Sequence, residues 1–196
     1  MFLSERQSLV SAWVGPSSAV GWSGAAVGRG LLAFAVGLSL FAALSQLRLV
    51  LPWTPVPVTG QTFAALLVAL LWGSRLGTAV VATAMLVVAP AFGLQGSLWA
   101  LGATQGYLLG MLAATFLVGM LADRGWGRSW PQALLAVSLG TLVIYALGLM
   151  VLWLYVPRVE LLSLGLWPFL PGDIVKAILA AGLSVKIHKK LSGQLC

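Results

Sequence analysis

Residues 167–187 read WPFLPGDIVKAILAAGLSVKI. A helix needs about 17–25 apolar residues to cross the hydrocarbon of a bilayer, and this run is long enough. It opens on two charges, Asp173 and Lys176, and Lys186 closes it. At helical spacing i and i+3 the opening pair shares one face, about one turn apart. A charge at membrane depth is costly unless it is paired or turned to a polar cavity, so the pair marks the candidate functional site. Pro171 suits the first helical turn, where its missing N–H costs nothing. Asp173, close behind, lies at the positive end of the helix dipole. Lys176 is disfavoured by that dipole and needs an anion, either Asp173 or a ligand carboxylate. A plain ion pair stapling the helix start is the bland alternative.

The rest of the chain is bilayer filler by composition. Of 196 residues, 60% are hydrophobic and 8% charged, with a mean hydropathy of +1.02. Water-soluble domains carry about a quarter charged residues. The formal charge of +7 does not point to nucleic acid, because the basic residues are scattered singly. The single cysteine, Cys196, permits no disulfide framework within the chain. Residues 1–30 mix Ser, Gly and Trp with short apolar pieces and read as an interfacial or frayed leader. Residues 31–190 read as one all-α transmembrane substrate-binding domain, and 191–196 as a tail.

Six segments qualify or nearly qualify as spans: 31–47, 58–72, 76–92, 105–121, 133–156 and 167–187. With six, Arg6, Arg29, Arg75, Arg124, Arg128, Lys186, Lys189 and Lys190 share one side. Only Arg48 and Arg158 fall on the other. This is the positive-inside pattern, and it puts both termini in the cytoplasm. Trp53, Trp99 and Trp167 fall at outer ends. Trp72, Trp126 and Trp130 fall at inner ends and read as simple interfacial anchors.

Polar groups converge on the outer connections. One holds Pro52, Pro55, Pro57, Thr59, Gly60, Gln61 and Thr62; the next holds Gln95, Gly96, Ser97, Trp99, Thr104 and Tyr107; the third leads into Asp173. Irregular polar backbone at membrane level must be buried in protein or line a cavity, so an outward-facing pocket is expected. Gln61 and Thr62 could equally cap the second helix. Small residues recur every four positions at Ala35, Ser39 and Ala43, and again at Gly106, Gly110 and Ala114. Such stripes let helices approach closely, within the bundle or against another membrane subunit.

Three segments together resemble the BioY family. Pro55-Val56-Pro57-Val58-Thr59-Gly60-Gln61-Thr62-Phe63 is similar to its PVPxTxQT segment. Gly102-Ala103-Thr104-Gln105-Gly106-Tyr107-Leu108-Leu109-Gly110 is similar to its GPTGGYLxG segment. Phe169-Leu170-Pro171-Gly172-Asp173-Ile174-Val175-Lys176-Ala177 is similar to its FLPGDxxKA segment. The resemblance implies a six-helix S component of an energy-coupling factor (ECF) transporter, holding biotin near the outer face of the cell membrane. It implies that Asp173 accepts from the ureido N–H groups and that Lys176 balances the valerate carboxylate. Thr59, Gln61 and Thr62 would line the pocket, and Thr104, Tyr107 and Trp99 complete the candidate ligand-binding set. The stripe Ala35, Ser39, Ala43 is similar to the face that S components present to their T-component partner. The middle segment departs at Ala103 and Gln105. The loop 92–101 carries neither a basic residue nor Asn, which shifts carboxylate recognition to Lys176.

Three functions compete. The first is biotin capture without covalent chemistry. The chain lacks a G-x-x-x-x-G-K-[ST] loop, so energy would come from separate ATPase subunits. The second is a stand-alone, gradient-driven carrier of biotin or another small vitamin, with Asp173 as a proton site. The third, a membrane enzyme, is opposed by the sequence. His188, the single histidine, falls in the basic stretch 186–190 and is expected to be solvated. No second intramembrane carboxylate is available for acid–base work. Neither a catalytic set, a metal site nor a cofactor is expected. A monomer and a homo-oligomer remain open.

Overall fold

The computed structural model describes residues 24–93, 97–99 and 102–192. Most of the expected leader, Gln95, Gly96 and the end of the tail with Cys196 lie outside the described residues. The chain is helical apart from one short β pair. Helix α1 covers Gly24–Ser45. Strands β1 (Arg48–Leu49) and β2 (Val58–Thr59) pair antiparallel, Arg48 opposite Thr59. Helix α2 covers Gln61–Thr83, runs through a π-helical turn, Ala84–Val88, and ends in α3, Ala89–Ala91. Then come α4 (Gln105–Asp123), α5 (Trp130–Leu152), the short α6 (Leu161–Gly165) and α7 (Leu170–Ser192).

Among the described residues, four stretches are long and apolar enough to cross a membrane: Val27–Ser45, Gln61–Ala91, Gln105–Asp123 and Trp130–Leu152. The pair Arg158–Gly165 and Leu170–Lys190, bent by 41°, passes together as a fifth. The last helix is disqualified alone by its charges, the same ones that drew attention in the sequence.

The stretch Gln61–Ala91 is not straight. Gly73 has φ 78° and ψ −173°, a conformation that glycine adopts without steric cost. The chain folds back there. A Cβ placed on Gly77 would lie 3.4 Å from the Val68 carbonyl oxygen and 3.5 Å from Ala69 Cα. In a straight helix, residues nine apart are about 13 Å apart along the axis. The break falls between the expected spans 58–72 and 76–92. It is held by Asp123 at the end of α4, whose Oδ2 accepts from the Ser74 backbone N–H (3.0 Å) and hydroxyl (2.6 Å). A carboxylate here satisfies an orphan amide at a fresh helix start. Gly119 allows the approach, because a Cβ on it would sit 2.5 Å from Ser74 N.

The first arm of α2 is the hub. Every residue from Ala64 to Ser74 is buried, as expected of a helix apolar all round. Helix α4 packs on α2 and α5, α7 closes against α5 and α2, and α1 lies along α2. The stripe on α4 serves the bundle: Cβ atoms on Gly106 and Gly110 would meet Leu147 O at 2.3 Å and Ile144 Cα at 2.8 Å. On α1, Ala33, Gly37, Phe41 and Ser45 face inward, whereas Ala35, Ser39 and Ala43 are exposed.

Two expectations are corrected. Trp72 is buried and donates its indole N–H to the Ala33 carbonyl at 2.7 Å, joining α1 to α2. It is therefore a bundle residue and not an interfacial anchor. His188 is 5% exposed rather than solvated. Its ring turns away from the flanking lysines, with Nδ1 2.8 Å from the Ser184 carbonyl. Its Cε1 lies over the glycine of the Trp126–Arg128 turn.

Candidate functional site: a polar cleft at one end of the bundle

The connections opposite the basic turns converge on a cleft of about 510 Å³ of atom-free space, open mouth included. Its polar lining comprises Thr59, Gln61, Thr62, Thr104, Tyr107, Tyr145, Asp173 and Lys176. Apolar walls come from Val56, Leu108, Met111, Ile144 and Phe169. Seven of the eight expected ligand-binding residues are thus brought together from three parts of the sequence. They were legible because each is a polar or aromatic side chain next to an apolar run.

The eighth, Trp99, lies elsewhere. It is 68% exposed and donates its indole N–H to the Leu86 carbonyl at 2.9 Å. The reason lies in the π-helical turn. Ala89 N–H bonds Ala84 O, setting the five-residue step. On that step Met85 O would take the N–H that Pro90 lacks. Leu98 N–H takes it at 3.1 Å instead. Trp99 thus clips the loop before α4 to α3 and its π turn, and is not part of the cleft wall.

Helix α7 supplies the charges. Lys176 Nζ donates to Asp173 Oδ1 at 2.9 Å and to Thr62 Oγ1 at 3.1 Å. It therefore bridges α7 to the start of α2. No side-chain cap is formed at that start; Thr62 receives the lysine instead. Asp173 Oδ2 accepts from the Tyr145 hydroxyl at 2.5 Å. Tyr145 was not foreseen. A tyrosine within an apolar helix looks like any core aromatic, and its partner is far away in sequence. The pair is partly buried but not sealed, with side chains 20% and 13% exposed for Lys176 and Asp173.

Two groups define the rest of the wall. Tyr107 donates to the Gly165 carbonyl at 2.8 Å, and its ring lies 6.5 Å from that of Phe169. This fixes one apolar side. Gln61 is 3% exposed. Its Oε1 accepts from the Thr59 hydroxyl at 3.4 Å, but Nε2 has no partner. A buried donor left unpaired costs about 1–3 kcal/mol, so an acceptor is missing beside it. Among the described residues, no cluster of His, Cys, Asp and Glu could hold a metal.

The arrangement offers a carboxylate acceptor, an ammonium and an amide donor above apolar walls. It suits a small molecule with N–H donors, an acceptor and an apolar body. Comparison with known proteins agrees. The model of the BioY family matches residues 18–193. A biotin transporter BioY from Thermotoga maritima is 36% identical over 71% of this chain and 85% of its own length. One from Rhodobacter capsulatus is 34% identical over 72% and 85%. A probable biotin transporter BioY from Pyrococcus horikoshii is 32% identical over 77% and 93%. The crystal structure of the S component for biotin from an ECF-type ABC transporter superposes with a TM-score of 0.76 and 25% identity, covering 86% of this chain and 95% of that one. A fold matched over nearly its whole length, with the family model spanning the cleft and all three signature segments, leaves one assignment: this chain belongs to the BioY family.

Proposed function

We propose that this chain captures biotin at the outer side of the cytoplasmic membrane and delivers it as the S component of an ECF transporter. It is a transport protein and not an enzyme. The observation that carries the reading is the Asp173–Lys176 pair opening onto the cleft. Biotin is an acid with a cyclic urea and an apolar thioether ring. Asp173 accepts from a ureido N–H, Lys176 draws its carboxylate, and Gln61 Nε2 donates to an acceptor on it. Val56, Leu108, Met111, Ile144 and Phe169 enclose the apolar part. Thr59, Thr62, Thr104 and Tyr107 complete the wall.

The fold-back at Gly73 supports reading Gln61–Ala91 as two spans and the chain as six-spanning, with both termini cytoplasmic. The exposed stripe Ala35, Ser39, Ala43 is assigned to docking of the T component, which brings the ATPase subunits. The remainder of the lipid-facing surface meets the bilayer.

Titration calorimetry of the purified full chain tests the site. Wild-type protein binds biotin tightly. Asp173→Ala removes the ureido acceptor and Lys176→Ala the partner of the ligand carboxylate, and a hydrogen bond to a charged group is worth about 1.5–3 kcal/mol, so either change should abolish tight binding. Wild-type affinity in both variants would refute the assignment. The competing gradient-driven carrier needs Asp173 to take up and release a proton. Both its oxygens already accept from donors, Lys176 and Tyr145. Biotin uptake by cells lacking ECF T and ATPase subunits, collapsing with the proton gradient, would decide for the carrier. No uptake in such cells decides against it.

A further inference from the structure

We infer that Tyr145 is a positioning residue, one that orients Asp173 so that the site selects ligands carrying a ureido N–H donor. The inference rests on the biotin reading and adds to it the means of recognition. A carboxylate offers about four lone-pair sites. The Lys176 ammonium occupies one on Oδ1 and the Tyr145 hydroxyl one on Oδ2. Lone-pair sites remain free on both oxygens, and one N–H of a cyclic urea can donate to whichever of them faces the cleft.

The two donors differ in what they can hold. Lys176 is on the same helix as Asp173 and carries its ammonium on a flexible four-carbon stem. It can follow the carboxylate as it turns. Tyr145 comes from α5, is 7% exposed, and has a rigid ring with two χ angles. Its hydroxyl is a fixed point in the bundle. It therefore sets the plane of the carboxylate, and a hydrogen bond to an ionised acceptor is among the strong ones.

The test uses the full chain, purified, with three ligands: biotin, biotin methyl ester, and biotin methylated on both ureido nitrogens. Tyr145→Phe keeps the ring and removes the hydroxyl. A hydrogen bond to a charged group is worth enough that biotin affinity should fall roughly 10- to 100-fold. The methyl ester should lose by the same factor, because its ureido ring is intact. The ureido-methylated ligand should bind both proteins equally weakly. In an Asp173→Asn background, Tyr145→Phe should cost little further. A merely structural role would weaken all three ligands alike and add to the loss in Asp173→Asn; either result overturns the inference. Asp173→Asn alone, independent of how Tyr145→Phe folds, should erase the preference for biotin over the ureido-methylated ligand. Retained preference would also overturn it. Wild-type protein that binds no biotin would sink the functional reading itself. Wild-type binding with an unchanged Tyr145→Phe would sink this role alone.

Discussion

Gln61 shows how a single side chain can be poor for the resting protein and good for its task. Its amide nitrogen is buried without a partner. Replacing it by an apolar group of similar size removes that penalty. Gln61→Leu should therefore raise the melting temperature of the ligand-free protein. The same change deletes a donor to the ligand and should weaken biotin binding roughly 3- to 10-fold. Melting curves with and without biotin read both effects; loss of stability together with unchanged affinity would contradict the assignment. At this scale the sequence was informative where a residue was out of place. Asp173 and Lys176 stood out because ionised groups are scarce in apolar runs. Tyr145 did not, since neither its spacing nor its neighbours distinguish a strut on a carboxylate from ordinary packing. Trp99 misled for the opposite reason. It adjoined the right loop, but its indole was claimed by a carbonyl near a proline.

At the scale of elements, the most consequential feature is the fold-back at Gly73. The sequence put Arg75 in a brief turn between the expected spans 58–72 and 76–92. What it did not disclose was the partner. Asp123 lies far along the chain and looks like a plain helix-end acid, yet it receives both donors of Ser74. Gly119 brings the two together. Gly119→Ala would force a Cβ against Ser74 backbone at 2.5 Å. Overpacking of this kind costs about 1–3 kcal/mol. Thermal unfolding in detergent should show a clear drop, with biotin affinity of the folded fraction kept, since the break lies at the far end from the cleft. The helix ends were less legible. Pro90 suggested a stop, but the π-helical turn before it arises from how α2 packs.

For the whole molecule, chemistry is divided between the two ends. The end with the cleft holds Asp173, Lys176 and the irregular segments. The other end carries Arg75, Arg124, Arg128, Lys186, Lys189 and Lys190. The six-span reading predicts a simple labelling pattern. Cys196, the single cysteine, should react with a membrane-impermeant thiol reagent only after cells are opened. In a Cys196→Ser background, Arg158→Cys should react in intact cells. Labelling of both from outside would overturn the topology. The mostly helical, membrane-capable class was readable because lipid imposes length and charge rules on every segment. The convergence of four segments on one cleft was readable only as a tendency, since no local rule says which helices become neighbours.

The first arm of α2 touches protein on every side, and Gln61 and Thr62 stand at its tip. Elastic stress from a bilayer that is too thin or too thick reaches only helices with a lipid-facing flank. Asp173 and Lys176, by contrast, ride on α7, whose Ile174 and Val175 are exposed. Dissociation constants for biotin measured in nanodiscs of short-chain and long-chain phospholipid should therefore shift through α7, and by the same factor in wild type and Gln61→Leu, whose position is shielded from lipid.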